Sequence, residues 1–461
     1  MTVKGKDFIN DFLAPYKLDE TPAKWTGIRG NITLVERHLV QAVEPSTNKV
    51  TLREPMKCAM QTKYGWTVNS FPNIAEVGVE DICFTGCWLG HFSHHRSHMD
   101  DEGWCAVKMF NVTDSWIRRC AFINLNQSMG FESCGYTSAI QNVLGGTMGH
   151  FSINEPRRSS GMLYGLTMDV MEQTGRDTTH GIGAAGQSNG IVYWRYAMQP
   201  DQSFDMHGRY PYATLFDAIK GGNMAGSGGP EGAFPNHLRD FVAWNFEHTR
   251  PIPKRGKNPG TYNFWSGSRP TLVMPILVGM HGAEVKVDEK TVSENESWGK
   301  PVDPESLFEA QLALRFNGKL PAWVDQAKAD WAKMQKSLPP YPRGGDSTPF
   351  VAARREQIIR QTLATPMVKD RFDAKDPLGA LVREWPTTDG SPWPPMIEVK
   401  DGKARVVAGK DEQVRYTLDG SAPTESSLTY SEPIELAKVA TLTAVAFKSG
   451  HKPSAASVAH R

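Results

Sequence analysis

Three stretches decide the reading of this chain: DSWIRRCAFIN at 114–124, TSAIQNVLGG at 137–146 and GMLYGLTMDV at 161–170. Each is a short run of apolar and β-branched residues closed by Gly, Asn or Asp, which is how a strand followed by a turn is written. The pattern continues outward on both sides, with VGVEDICFTG at 77–86 before it and GIVYWRYAM at 190–198, YATLFDAIKGG at 212–222 and LRDFVAWNFEH at 238–248 after it. Taking one central apolar residue from each of the six stretches after the first, Ile117, Ile140, Leu163, Val192, Leu215 and Phe241, the steps are 23, 23, 29, 23 and 26 residues. Such steps are too short for a strand-helix-strand unit and too long for hairpins alone. Strands and turns repeating at this interval predict a β-solenoid, in which each coil buries its inward side chains against its neighbours. A leucine-rich repeat has a similar length, but no Leu/Asn consensus recurs here. The expected fold class is therefore all-β, a right-handed parallel β-helix over 74–300, the handedness following from the general rule for parallel crossovers.

Around this core the chain divides by composition. Residues 1–73 read as an N-terminal β cap, with strand candidates in RGNITLVERHLV (29–40) and NKVTLRE (48–54). After 300 the periodicity becomes helical. DPESLFEAQLALRFNG (303–318) has an Asp at a capping position and a Gly past its end, and AWVDQAKADWAKMQK (322–336) and TPFVAARREQIIRQTLA (348–364) also read as helices. Pro-rich SLPPYPRGGD (337–346) and REWPTTDGSPWPP (383–395) make 301–394 a helical and linker region. Short strands return in 395–461, which predicts a small β-sandwich.

The 51 basic and 50 acidic residues leave a net charge of +1, which offers nothing to nucleic acid or an anionic membrane. No apolar run approaches the length of a membrane span, and Met1 to Tyr16 lacks the apolar centre of a signal peptide. Six cysteines at 58, 83, 87, 105, 120 and 134 fit buried thiols or one or two disulfides better than zinc, because Cys83 and Cys87 find no second close pair.

The strongest polar concentration is HFSHHRSHMDDEGW at 91–104, between two strand patterns. Aromatic residues among acids and histidines suit a sugar cleft, with flat faces for pyranose rings and groups able to protonate a glycosidic oxygen. Glycoside hydrolysis uses a pair of carboxyl groups, and Asp100, Asp101 and Glu102 offer one. His94, His95, Arg96 and Trp104 are candidate substrate contacts. Mixed His and carboxylate sets also bind metals, although no metal or cofactor is expected here. Further polar groups fall near strand ends in MEQTGRDTTHG (171–181), SFDMHGRYP (203–211) and PNHLRD (235–240). From these, His180 joins the candidate catalytic set, and Glu172, His207 and Arg209 the binding set, since residues one or two repeats apart share a face of a solenoid.

Two resemblances sharpen this reading. VRYTLDGSAPTESSLTYSEPIEL (414–436) with ATLTAVAFKSGHKPS (440–454) resembles the immunoglobulin-like C-terminal module of chitobiase-type enzymes, through Tyr416, Asp419, Gly420, Pro423, Thr424, Tyr430, Pro433 and Gly450. That resemblance implies an accessory domain without catalysis. GVEDICFTG, HHRSHMDDEGW, SWIRRCAFIN, PNHLRDFVAWNFEHT and SLFEAQLALR resemble a β-helix family formerly of unknown function and related to the endo-fucanases of glycoside hydrolase family 174. This implies an endo-acting hydrolase of a sulfated, fucose-rich polysaccharide, secreted or periplasmic, with Asp101 and Glu102 as acid and base. Arg96, Arg118, Arg119, Arg157, Arg158 and Arg209 would then supply cations for sulfate. A lyase acting on a uronic-acid polymer and a non-catalytic glycan-binding solenoid stay open as alternatives.

Overall fold

A computed structural model of the chain describes residues 1–16, 32–86, 92–95, 98–101, 105–147, 149–154, 156–171, 179–200, 202–225, 234–249, 260–266, 269–337, 391–392, 394–409, 411–436 and 441–460. The chain forms two compact units, 1–367 and 368–461.

The first unit is a parallel β-solenoid. Sheet A has nine strands, Gly78–Glu80, Trp116–Arg118, Ser138–Ile140, Leu163–Gly165, Asn189–Trp194, Tyr212–Asp217, Phe241–Trp244, Ile276–Val278 and Glu294–Glu296, each pairing in parallel with the coils on either side. Sheet B comprises Cys83–Thr85, Ala121–Ile123, Val143–Gly145 and Met168–Asp169. Sheet C comprises Cys105–Phe110, Gln127–Glu132, Phe151–Ile153, His180–Ala185 and Ser203–Gly208.

Two details differ from the sequence reading. In the earlier coils each run taken as one strand is two, folded about a single residue in the left-handed region. Asp81, Arg119, Gln141, Leu166, Arg195, Ala218, Asn245 and Gly279 occupy that corner with φ between 47° and 68°. Seven of the eight are not glycine, so the bend carries no Gly or Pro punctuation. Tertiary pairing imposes it against a local cost. The register also differs. Ile117 stacks on Ala139, then Tyr164, Tyr193, Phe216, Ala243 and Leu277, so Ile140, Leu163, Val192 and Leu215 sit one place off the inward column, while Phe241, two places before Ala243, is in the core. Within that column the Tyr164 and Tyr193 rings stack at 4.8 Å and Tyr193 and Phe216 at 5.2 Å. Stacked aromatic pairs of this kind add about 0.5–1.5 kcal/mol each beyond the area they bury.

The N-terminal segment contains the expected strands Thr33–Val35 and Lys49–Leu52, but also an unforeseen amphipathic helix, α1, Lys6–Leu13. Its Phe8, Ile9, Phe12 and Leu13 bury against Tyr210, Tyr212, Leu238 and Val273, so this segment lies along the later coils. Buried Glu36 ties it there, accepting from Tyr212 Oη at 2.7 Å and from the Lys57 N–H at 3.1 Å.

Helices α2, Leu307–Arg315, and α3, Ala322–Ser337, follow the last coil and pack on the solenoid, α3 through Val324, Ala327 and Trp331 and α2 through Phe308 and Leu312, against Val143, Leu166 and Trp194. The cap of α2 is Ser306 rather than Asp303, its Oγ accepting from the Glu309 N–H at 3.1 Å. Asp217 of sheet A accepts from the Leu307 N–H at 2.7 Å. The helix expected at 348–364 lies outside the described residues. Among the described residues, no helix is long and apolar enough to cross a membrane. Cys58, Cys105, Cys120 and Cys134 are free thiols, so the disulfide expectation finds no support in these four.

The second unit is an antiparallel sandwich. One sheet holds Met396–Lys400, Lys403–Val407 and Ile434–Glu435, the other Leu428–Thr429, Gln413–Thr417, Thr441–Phe447 and Ser457–His460. Ala404, Val406, Val414, Leu436, Leu442 and Ala444 fill its core.

Candidate functional site

Sheet C collects the polar residues. In Ser203–Gly208, Phe204 and Met206 belong to the core, so alternation sends Asp205 and His207 to the opposite face. His180 opens the preceding strand, paired with Phe151 on one side and Ser203 on the other. The register then slips between His180 and Ala185. Glycine makes that slip possible, because a Cβ on Gly183 would lie 1.5 Å from the Asp205 carbonyl oxygen.

The segments 92–95 and 98–101 lie against this face. The second is a short helical turn, His98–Asp101. Asp100 is fully buried, its Oδ1 accepting from the Ser93 N–H at 3.0 Å while its own carbonyl accepts from Asn126 Nδ2 at 3.0 Å. Asp101 stands at the rim. Its Oδ1 accepts from the His95 N–H at 2.8 Å and its Oδ2 from His95 Nδ1 at 2.9 Å, and the His95 ring is largely exposed. Burial alone would raise the Asp101 pKa, but the two bonds from His95 outweigh it and hold the carboxyl below its usual range. Asp101 is therefore an ionised carboxylate at neutral pH, suited to orienting an imidazole, acting as a base or stabilising positive charge.

Behind this pair lie further histidines. His94 stacks on His95 with ring centres 3.7 Å apart, and its Nε2 is 3.4 Å from His180 Nε2. His150 donates from Nδ1 to the Asp101 carbonyl at 2.7 Å, and Phe92 stacks on it at 5.2 Å. Burial pushes His150 down to about 3 and lowers His180 as well, so both are neutral imidazoles at physiological pH. His207 donates from Nδ1 to Asp205 Oδ1 at 2.8 Å, and His180 Nδ1 lies 3.9 Å from the same oxygen. Burial would raise the Asp205 pKa, yet the hydrogen bond from His207 pulls it down.

The structure thus brings together His94, His95, Asp101, His180 and His207, with Asp100 beneath them. Arg209 is exposed and lies in a left-handed turn past the end of the Ser203–Gly208 strand. Arg96, Glu102, Trp104 and Glu172 lie outside the described residues. Several arginines expected to hold sulfate are spent on acids: Arg118 on Glu80, Arg119 on Glu80 and Asp81, and Arg158 on Glu132. His237 is fully buried, its Nε2 against Thr214 Oγ1 at 2.9 Å, which makes it part of the core.

Sequence reasoning missed His150 and did not select Asp205. His150 sits in GTMGHF without an acidic neighbour, and only alignment of the sheet C coils shows it one residue before the partner of His180. A separate cleft of about 350 Å³, lined by Arg195, Lys220, Glu247, Glu305 and Trp331, lies elsewhere. Its charges are mutually paired, Arg195 with Glu305 and Lys220 with Glu247.

Two parts of the chain match known domain families. Residues 177–327 match a domain of unknown function, DUF4955, and residues 401–458 match the chitobiase/beta-hexosaminidase C-terminal domain. No curated protein matches the chain. The first match covers His180, Asp205 and His207 but not the loop at 92–101. The second joins the solenoid to a glycosidase-associated module, an architecture with a glycan-related role.

Proposed function

We propose that the protein is an endo-acting glycoside hydrolase whose site is the Asp101 face of sheet C, and that its substrate is an anionic, sulfated and fucose-rich polysaccharide. The observation that carries this reading is the ionised Asp101, bonded to the exposed His95, with His94, His150 and His180 from a loop and successive coils behind it. A solenoid face suits a long polymer, which can lie across several coils while one bond is cut. Asp101 would serve as base or stabilise the developing oxocarbenium charge, and Glu102, next in the chain, would protonate the leaving oxygen. His95 and His207 would hold sugar hydroxyl or sulfate oxygens. Secretion follows from this reading, since such polymers lie outside cells.

One observation favours a second reading. Asp101 with His95, and Asp205 with His207, are carboxylate-oriented imidazoles, the arrangement that prepares a histidine to abstract a proton. That chemistry serves a lyase acting on uronic-acid polymers. Incubation with sulfated fucans and with uronate polymers, following both reducing ends and the ultraviolet absorbance of unsaturated sugars, separates the two. New reducing ends without absorbance, lost in Asp101→Asn and Glu102→Gln, support the hydrolase. Absorbing products, lost in His95→Ala, replace it with the lyase.

A further inference from the structure

The geometry points to a divalent transition-metal site formed by His94, His150 and His180. One ligand atom from each of the three lies within 4.8 Å of the others. His94 comes from the loop at 92–95, His150 from the residue before a sheet C strand, and His180 from the start of the next, so only the solenoid brings them together. A tetrahedral ion held at about 2.0–2.1 Å by two imidazoles separates their nitrogens by about 3.4 Å. His94 Nε2 and His180 Nε2 stand 3.4 Å apart.

The surroundings agree with this geometry. A metal-binding histidine normally fixes its ring through the other nitrogen, to a carbonyl or carboxylate. His150 donates Nδ1 to the Asp101 carbonyl at 2.7 Å, which fixes its proton there and leaves the Nε2 lone pair. His180 turns Nδ1 toward Asp205 Oδ1 at 3.9 Å, and Asp205 Oδ2 is buried with no hydrogen-bond partner. Two carboxylates, Asp101 and Asp205, therefore flank three imidazoles, so the pocket's charge is one that a dication neutralises. Imidazole nitrogen without thiolate selects zinc, cobalt, nickel or copper over magnesium or calcium. His94, His95 and Asp101 form a second convergent set sharing His94, so an ion at the three histidines would adjoin the proposed catalytic carboxylate. Three protein ligands leave a fourth position for water or a sugar or sulfate oxygen. The binding site itself does not depend on the hydrolase reading.

The test uses the full chain, purified without a polyhistidine tag and dialysed against EDTA. Titration with Co²⁺ is expected to give one equivalent of a species with the intense visible bands of four-coordinate cobalt, abolished by one equivalent of Zn²⁺. His94→Ala and His180→Ala should each weaken Zn²⁺ binding at least about tenfold, and Asp205→Asn should weaken it about tenfold through ring positioning. His451→Ala, in the C-terminal unit, should leave binding unchanged. His94 is on the loop and outside the core, so its variant should keep the wild-type far-ultraviolet circular dichroism. A folded wild-type protein that develops no such bands overturns the site, as do bands that persist unchanged in a folded His94→Ala variant. Because the readout is spectroscopic, inactivity on polysaccharide does not affect it.

Discussion

His94 and His180 face each other through their Nε2 atoms at 3.4 Å although 86 residues separate them in the chain. One is on a loop between coils and the other opens a sheet C strand, so the contact exists only because the solenoid returns the chain to the same face. The arrangement makes separable claims about neighbouring residues.

Adjacent carboxylates should behave differently. Asp101 is at the rim and bonded to His95, whereas Asp100 is fully buried and holds the Ser93 N–H. Asp101→Asn is expected to reduce turnover at least about 100-fold with an unchanged melting temperature, in line with loss of a catalytic carboxylate. Asp100→Ala should destabilise the fold by about 1–3 kcal/mol, as for a buried hydrogen-bonding group removed from its partner. Paired assays of activity and thermal unfolding check both.

Glycine at 183 is required by the neighbouring coil. Gly183→Ala would place a methyl group 1.5 Å from the Asp205 carbonyl oxygen, and the strands must separate to admit it. Loss of soluble protein or a melting temperature lowered by many degrees is expected. Gly130→Ala, in the same sheet, meets only ordinary contacts beyond 3.5 Å and should melt close to wild type.

The docking of helix α2 rests on a polar cap. Ser306 and the Leu307 N–H both bond to Asp217, and Ser306 also caps the helix. Ser306→Ala should cost about 1–2 kcal/mol in urea unfolding. Asp217→Ala should cost at least as much, because it frees two buried donors.

Stability should fall below neutrality. Burial pushes His237 and His248 each down to about 4, against 6.5 for an exposed imidazole. A histidine depressed in the fold takes up its proton on unfolding, so its contribution is complete above pH 6.5 and is lost as pH falls toward 4. Asp217, raised to about 6 by burial, acts in the opposite sense over part of that window but is outnumbered. Melting temperatures are expected to be level above pH 7 and to fall between pH 6.5 and 4, with a shallower fall in His248→Gln.

The repeating strand-turn interval alone indicated a solenoid, because stacked coils impose their period on every strand, and TSAIQNVLGG and YATLFDAIKGG keep that period. Helices α2 and α3 were equally legible from their 3.6-residue spacing, and the sandwich from its motif. The corner at Arg119 or Leu166 was not, because a non-glycine residue accepts a left-handed conformation there only under the pull of pairing on both sides. Helix α1 was hidden by its short length, its amphipathic face being completed by Tyr212 and Leu238 from distant coils. The same division holds at the site. The density of His and Asp at 91–104, interleaved with aromatic residues, marked the loop as a candidate. His150 and Asp205, and the separation of Asp100 from Asp101, depended on coil register and on which face each side chain meets. Those are decided by packing between residues far apart in the chain, which no local pattern contains.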